Sequence, residues 1–456
     1  MKKKNARLES YIRSVRPQFE ELLAEIVELP SVSSDLDRVK DIQKTAGLAV
    51  EYLKSFGAQA RVVKTSGYPV VSGGWLVGKQ CPTLTIYNHL DVQPAQEPEW
   101  RQAPFQFRKE GNTYRGRGTT DDKGPALTAL FAARYATEHG VPLNIRFVWE
   151  LEEEIGSPNF QDALDQKQLV PRPDSVLISD TIWVSRQKPA IPTGLRGMLS
   201  AQLSLRTGTT DVHSGLTGGG ARNPLAELCE IASACVDART GRVKIPGFYD
   251  DVVPPSSREM KEFLSSGFDV GRFKKAFGFR TIRTEDRAQL IKRIWAAPTF
   301  EVHGLVGGYN GPGVKTVVPP SGQLKISMRL VPNQDPQKIF SLLKAFLKKH
   351  NPDVRLECDG QLEPFRGVTG GLYAEALRTA VQAGFGKTPS FIREGGSIGA
   401  VKLMERAWRV PILFMGLSLP EHGYHAPNEF FDWGQASGGM RAFVEYFSQV
   451  AHMRDR

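Results

Sequence analysis

The chain has 456 residues, with 59 lysines and arginines against 49 aspartates and glutamates, a formal net charge of +10, and a composition 40% hydrophobic and 24% charged. That balance excludes a disordered or fibrous chain, and at ~100–200 residues per domain the length calls for two to four domains. The cations are interleaved with acids and no aromatic-plus-basic module accompanies them, so the excess points to anionic small substrates rather than nucleic acid.

Met1-Lys2-Lys3-Lys4 has the charge of a secretion signal, but polar residues from Asn5 to Ser10 follow where an apolar stretch would be needed. Apolar positions three and four apart (Leu8, Tyr11, Ile12, Val15, Phe19) predict a helix over 6–28, and a second is expected over 37–56. Short apolar runs at Thr83–Tyr87, Asn144–Trp149, Ser175–Ser179 and Pro411–Phe414 read as buried strands of a mainly parallel sheet. Between the first two, a helix opens near Gly124-Pro125, where a first turn accepts proline. This is α/β layering.

After Gly194 the order changes to strand Met198–Arg206, helix Asn223–Asp237, strands Thr299–His303 and Gln323–Leu330, helix Asp335–His350 and strand Val354–Cys358. That βαββαβ order predicts a ferredoxin-like α+β module with an antiparallel face. Residues 239–298 form an insertion of mixed short helices that the pattern does not resolve into a fold. From about Pro364 the α/β character returns with helix Leu372–Ala383. The expected organisation is a catalytic domain made of 1–196 and 364–456, interrupted by an inserted domain over 197–363. No run approaches the ~20 apolar residues of a membrane span. The four cysteines lie far apart with no C-x-x-C pair, which suits a reducing compartment, so a soluble cytoplasmic protein is expected.

Chemistry-bearing residues gather at predicted strand ends. The first strand runs into Asn88-His89-Leu90-Asp91, at the carboxyl end where open α/β sheets bind ligands. Taken alone, His89 reads first as a hydrogen-bonded strand-end histidine; with Asp91 able to hold its tautomer it is also a candidate metal ligand. Gly116 to Gly124 is a glycine-bracketed loop carrying Asp121-Asp122, more than a helix cap by Thr120 or Asp122 explains. The second strand delivers Glu150, Glu152, Glu153 and Glu154, whose mutual repulsion a divalent ion would offset. The third ends in Asp180-Thr181, and the last is followed by Glu421-His422-Gly423-Tyr424-His425. Four strands of one sheet thus end in His, Asp or Glu. Such ligands without thiolate suit zinc, manganese or cobalt, and they outnumber the three protein ligands of one catalytic zinc, so two metals are implied.

These residues resemble the di-zinc exopeptidase family that includes carnosinase-type dipeptidases, carboxypeptidase G, aminoacylases and succinyl-diaminopimelate desuccinylase. Its motifs stand here as Tyr87 to Pro94, Gly116 to Pro125, Glu153 to Ser157, Ser179-Asp180-Thr181 and His425 to Glu429. The resemblance implies that His89 and Asp180 hold one ion, Glu154 and His425 the other, and Asp121 bridges both. It makes Glu153 the general base and Asp91 the residue supporting His89, and it places a cis peptide between Asp121 and Asp122. In Asp211-Val212-His213-Ser214-Gly215, His213 matches a histidine that stabilises the oxyanion in a neighbouring subunit's site. Arg329 matches the residue that forks onto the substrate's terminal carboxylate, and Thr316 also matches a substrate-binding position. Gly395, Gly396 and Ser397, at an expected helix start, suit an anionic ligand end. Val184-Ser185-Arg186 and His422 receive no role.

The expected function is hydrolysis of a peptide bond in dipeptides or short peptides, within a homodimer joined through the inserted module's open sheet edge. An N-acyl amino acid deacylase or desuccinylase of the same chemistry is the alternative. A silent dimeric peptide- or metal-binding scaffold is the alternative of another class, and it would have lost a ligand or the base.

Overall fold

The computed structural model describes residues 2–453; Met1, the side chains of residues 2–5 and residues 454–456 lie outside the described residues, so the side chains of the basic start do too. A six-stranded sheet runs in the order Gln59–Val63, Val70–Trp75, Asn144–Glu150, Thr83–His89, Ser175–Ile178, Ile412–Phe414. Its last four strands are mutually parallel, and the first two are antiparallel additions at one edge. The four parallel strands are those expected from the apolar runs. The antiparallel pair was not expected: Gln59–Val63 is largely exposed, and Gly73-Gly74 interrupts the apolar run of its neighbour.

Strand alternation splits the sheet between two cores, as a period of two requires. Leu84, Ile86, Ile145, Phe147, Trp149 and Leu177 face the cluster built with helices Lys2–Val27, Val39–Ser55, Gly124–Glu138, Leu372–Phe385 and Trp433–Val450. Tyr87, Val148, Val176 and Ile178 face the opposite way, onto helices Phe160–Asp165 and Gly399–Trp408. The Gly124–Glu138 helix is buried almost all round, and its alanines let neighbouring helices come close. Gly439 marks one such approach, since a Cβ there would sit 2.8 Å from the Thr128 methyl.

The second sheet has four antiparallel strands in the order Glu301–Gly307, Ser321–Leu330, Gly197–Arg206, Arg355–Leu362. With helices Pro224–Cys235 and Pro336–His350 packed on it, this is the ferredoxin-like arrangement. The fold is therefore mixed α/β with an inserted α+β module. Two strands outside the expected set, Ala190–Leu195 and Ser390–Glu394, pair in parallel beside Phe365–Arg366. Residues 239–298 contain helices Ser257–Ser265, Val270–Ala276 and Arg287–Ala296. Phe263, Leu290, Ile291 and Trp295 from these helices pack against Trp183, Ala190, Ile392 and Leu419.

Candidate active site

The parallel strands bring their carboxyl ends together, and the side chains expected there converge. His89 Nε2 lies 3.0 Å from Asp121 Oδ1 and 3.8 Å from Asp180 Oδ1. His425 Nε2 lies 2.9 Å from the other oxygen of Asp121, Oδ2, and 3.2 Å from Glu154 Oε2. Asp121 therefore turns one oxygen to each histidine. Glu153 stands with His89 and Asp180, and Glu154 with His89 and Asp121, each group within 4.8 Å.

Local structure explains how each side chain is held. His425 adopts a left-handed backbone with φ 56°, in a turn closed by the Ala426 N–H donating to the Gly423 carbonyl. His89 Nδ1 is 3.0 Å from the Asp91 backbone carbonyl, with the Asp91 carboxylate at 3.5 Å. That carboxylate accepts the backbone N–H groups of Glu153 and Glu154, at 3.2 and 3.0 Å. Asp91 thus ties the first histidine to the loop carrying two other site residues. The Asp121–Asp122 peptide is cis. Neither Thr120 nor Asp122 caps the following helix: Asp122 accepts from Asn88, and the Thr120 hydroxyl lies between Ser418 and His422.

Of the four neighbouring glutamates, only Glu153 and Glu154 stand in the groups with His89 among the described residues. Glu152 accepts from the Tyr68 N–H and the Asn159 side chain, and Glu150 accepts from the Tyr87 hydroxyl. Several positioning residues carried no assigned role in the sequence. Glu429 accepts the N–H groups of Gly118, Thr120 and Asp121 while pairing with buried Arg117 at 2.8 Å, so it braces the loop that presents Asp121. Tyr424 donates to Asp180 and Gln93 donates to Glu154. His422 lies between Thr120 and Asp432. Their motifs were visible, but nothing in residue spacing reveals a donor aimed at a carboxylate 244 positions away.

The electrostatics show a demand for positive charge. Burial alone would raise Asp121, yet hydrogen bonds to His425 and His89 hold it well below the usual carboxylate range. Burial opposes charge on His425, but Asp121 and Glu154 push its imidazole up to about 11. Burial drives Glu153 well above the ordinary range against the pull of His89, and Asp180, Glu154 and Asp91 add to the rise. Bound cations would take over the role of the imidazole charges, since a ligating imidazole must be neutral. Asp121 Oδ2 faces His425 Nε2, and Glu154 Oε1 is buried and accepts no hydrogen bond, which fits carboxylate oxygens directed at metal. The donor set and these oxygens suit divalent cations.

The expected substrate-binding residues fall into two places. Arg329 Nη1 donates to Ser397 Oγ at 3.2 Å, while the Gly395 and Gly396 carbonyls accept from the side chain and backbone of Arg196. Arg329 from the inserted sheet therefore meets the loop ahead of the Gly399–Trp408 helix. His213 and Thr316 lie together instead on a small exposed ribbon pairing Val212–His213 with Val317–Val318, where the Thr316 carbonyl accepts from Ser214. The His213 side chain there accepts from the Gly215 N–H.

A sheet edge collecting imidazoles and carboxylates, with an α+β module reaching over it, defines a class of metal-dependent hydrolase. Residues 85–449 match Peptidase family M20/M25/M40. The Cys-Gly metallodipeptidase DUG1 of Candida albicans is 31% identical over 95% of both chains. The M20 family metallo-carboxypeptidase Sso-CP2 of Sulfolobus solfataricus is 31% identical, with a TM-score of 0.87 over 94% of this chain and 98% of that one. Human carnosine dipeptidase 1 is 26% identical, with a TM-score of 0.86 over 98% of both. The chain belongs to peptidase family M20/M25/M40, and it is a hydrolase.

Proposed function

We propose that the protein hydrolyses the peptide bond of dipeptides or short peptides in a metal-dependent reaction. The observation that carries this reading is the placing of the two Asp121 oxygens, 3.0 Å from His89 and 2.9 Å from His425. His89 and Asp180 would hold one cation, Glu154 and His425 a second, and Asp121 would bridge them. Zinc suits these donors best, with manganese and cobalt as alternatives. Two divalent cations bound there would polarise the scissile carbonyl and acidify a water molecule. Glu153 takes the proton of the attacking water and returns it to the leaving amine. Asp91 keeps Glu153 in place through its bonds to the Glu153 and Glu154 N–H groups.

Arg329, steadied by Ser397, receives the C-terminal carboxylate beside Gly395 and Gly396, and Thr316, on the ribbon that carries His213, contacts the substrate from the neighbouring subunit. His213 serves the oxyanion in a neighbouring subunit's site. The proposed dimer forms through the inserted domain, 197–363, between the catalytic segments 1–196 and 364–456. Its edge strand Glu301–Gly307 exposes Val302, Leu305 and Val306, which supports pairing with a second copy. The four free cysteines support a cytoplasmic location, and no nucleic-acid or membrane partner is proposed. Two relatives bear names for dipeptide cleavage, Cys-Gly and carnosine, which supports substrates with a free C-terminal carboxylate. The test compares hydrolysis of Cys-Gly, Ala-Ala and N-acetyl-alanine by the zinc- or manganese-loaded protein. Cleavage of the dipeptides is expected, and cleavage of N-acetyl-alanine alone would favour the deacylase alternative.

A further inference from the structure

A cleft of about 1270 Å³ opens beside Arg329, between the inserted sheet and the helical segment 239–298. Six cationic side chains line it, Arg196, Arg242, Arg283, Lys292, Arg293 and Arg329, against one carboxylate, Glu301. Among the described residues none of these six has a carboxylate oxygen within 4.0 Å. Arginines elsewhere on the surface do pair: Arg222 holds both Glu227 and Asp353, and Arg186 holds Glu421 and Asp432. The polar contacts made by the cleft cations go to neutral oxygens. Arg196 Nε donates to the Gly395 carbonyl, Arg293 to the Thr240 carbonyl at 2.9 Å, and Arg329 to Ser397, while Arg242 lies 5.4 Å from the centre of the Tyr249 ring. Each guanidinium keeps N–H groups free for an anion.

At the inner end, Arg196 and Arg329 oppose each other. Burial and the Arg329 charge together pull Arg196 down to about 10. That end adjoins the 395–397 loop, which continues from strand Ser390–Glu394, and half-buried Glu394 takes the Ile182 N–H two residues beyond Asp180. The cleft is therefore joined, through Arg329 and the 395–397 loop, to the strand that ends beside the Asp180 loop.

We infer that this cleft is a subsite for a negatively charged side chain on the C-terminal residue of the substrate, an aspartate or a glutamate. The inference rests on the proposed peptidase reading, in which Arg329 takes the terminal carboxylate and the side chain of the same residue projects into the cleft. The cleft far exceeds one residue in volume, so charge rather than size does the selecting. Arg242, Arg283, Lys292 and Arg293 all come from the 239–298 segment, outside the five motifs that supply the metal site. The segment thereby acquires a role in specificity.

The test compares Ala-Glu, Ala-Gln and Ala-Lys as substrates for the metal-loaded protein and for Arg242→Gln/Arg293→Gln, with calorimetric titration of free L-glutamate and L-glutamine alongside. The wild type should prefer Ala-Glu over Ala-Gln on the order of tenfold in kcat/KM, mainly through KM, and the preference should shrink as salt rises. In the double variant the ratio should approach one. Equal use of Ala-Glu and Ala-Gln by the wild type, or a preference that survives the double substitution, would overturn the inference. The titration needs no turnover: tighter binding of glutamate with no hydrolysis of any dipeptide would sink the peptidase reading and leave the subsite standing. Equal binding of glutamate and glutamine would remove the subsite alone.

Discussion

The carboxyl edge of the parallel sheet and the 239–298 cleft present opposite electrostatic problems. At the sheet edge, Asp121, Glu154 and Asp180 are crowded with Glu153 among two histidines, and the site calls for cations. At the cleft, six cations face one carboxylate and call for an anion. The first cluster is braced from all sides, by Glu429, Asp91, Tyr424 and Gln93. The second is held loosely, by carbonyls, the Ser397 hydroxyl and a ring. The difference suits one region to fixed chemistry and the other to substrate choice, since preorganised donors count most where charge develops in the reaction.

The contrast can be attacked in order of expected effect. Glu153→Gln should lower kcat by ~10²–10⁴ with metal content unchanged, because only the proposed proton carrier is lost. Kinetics paired with elemental analysis check this, and loss of metal together with activity would refute the base assignment. Glu429→Ala strands buried Arg117 and releases the 118–121 loop, so unfolding free energy should fall by ~3–5 kcal/mol. A denaturant titration that moves by less than ~1 kcal/mol would show the brace to be idle. Arg329→Ala should reduce kcat/KM for dipeptides roughly 10–100-fold, about 1.5–3 kcal/mol for a hydrogen bond to a charged group, with metal content intact. Tyr424→Phe should weaken retention of the Asp180-side cation by roughly tenfold, measured by chelator competition, because a hydroxyl supporting a ligand is removed.

The two regions also differ in how far the sequence discloses them. The proposed metal ligands sit where an apolar strand run stops, so His89, Glu154 and Asp180 could each be placed at a parallel strand end from local pattern alone. The ferredoxin-like order was equally visible in alternating runs and helix periods. Strands Ala190–Leu195 and Ser390–Glu394 were not, because Pro192 and Gly194 interrupt one and Arg393 the other. Glu150 and Glu152 looked like further members of the acidic cluster. Only the fold shows that Tyr87 and the 66–68 turn claim them. The cleft was beyond reach for a related reason: Arg196, Arg242, Arg293 and Arg329 come from separate stretches and meet only once the helices of 239–298 pack against Trp183 and Ile392.

The proposed chemistry turns on two cations sharing Asp121. Crystals of the protein grown with zinc or manganese and measured at the metal's absorption edge would locate them directly. Two anomalous peaks ~3.5–4 Å apart are expected, one against His89 and Asp180, the other against Glu154 and His425, with an Asp121 oxygen on each. A fully active, metal-loaded protein with a single peak, or with Asp121 touching neither ion, would contradict it.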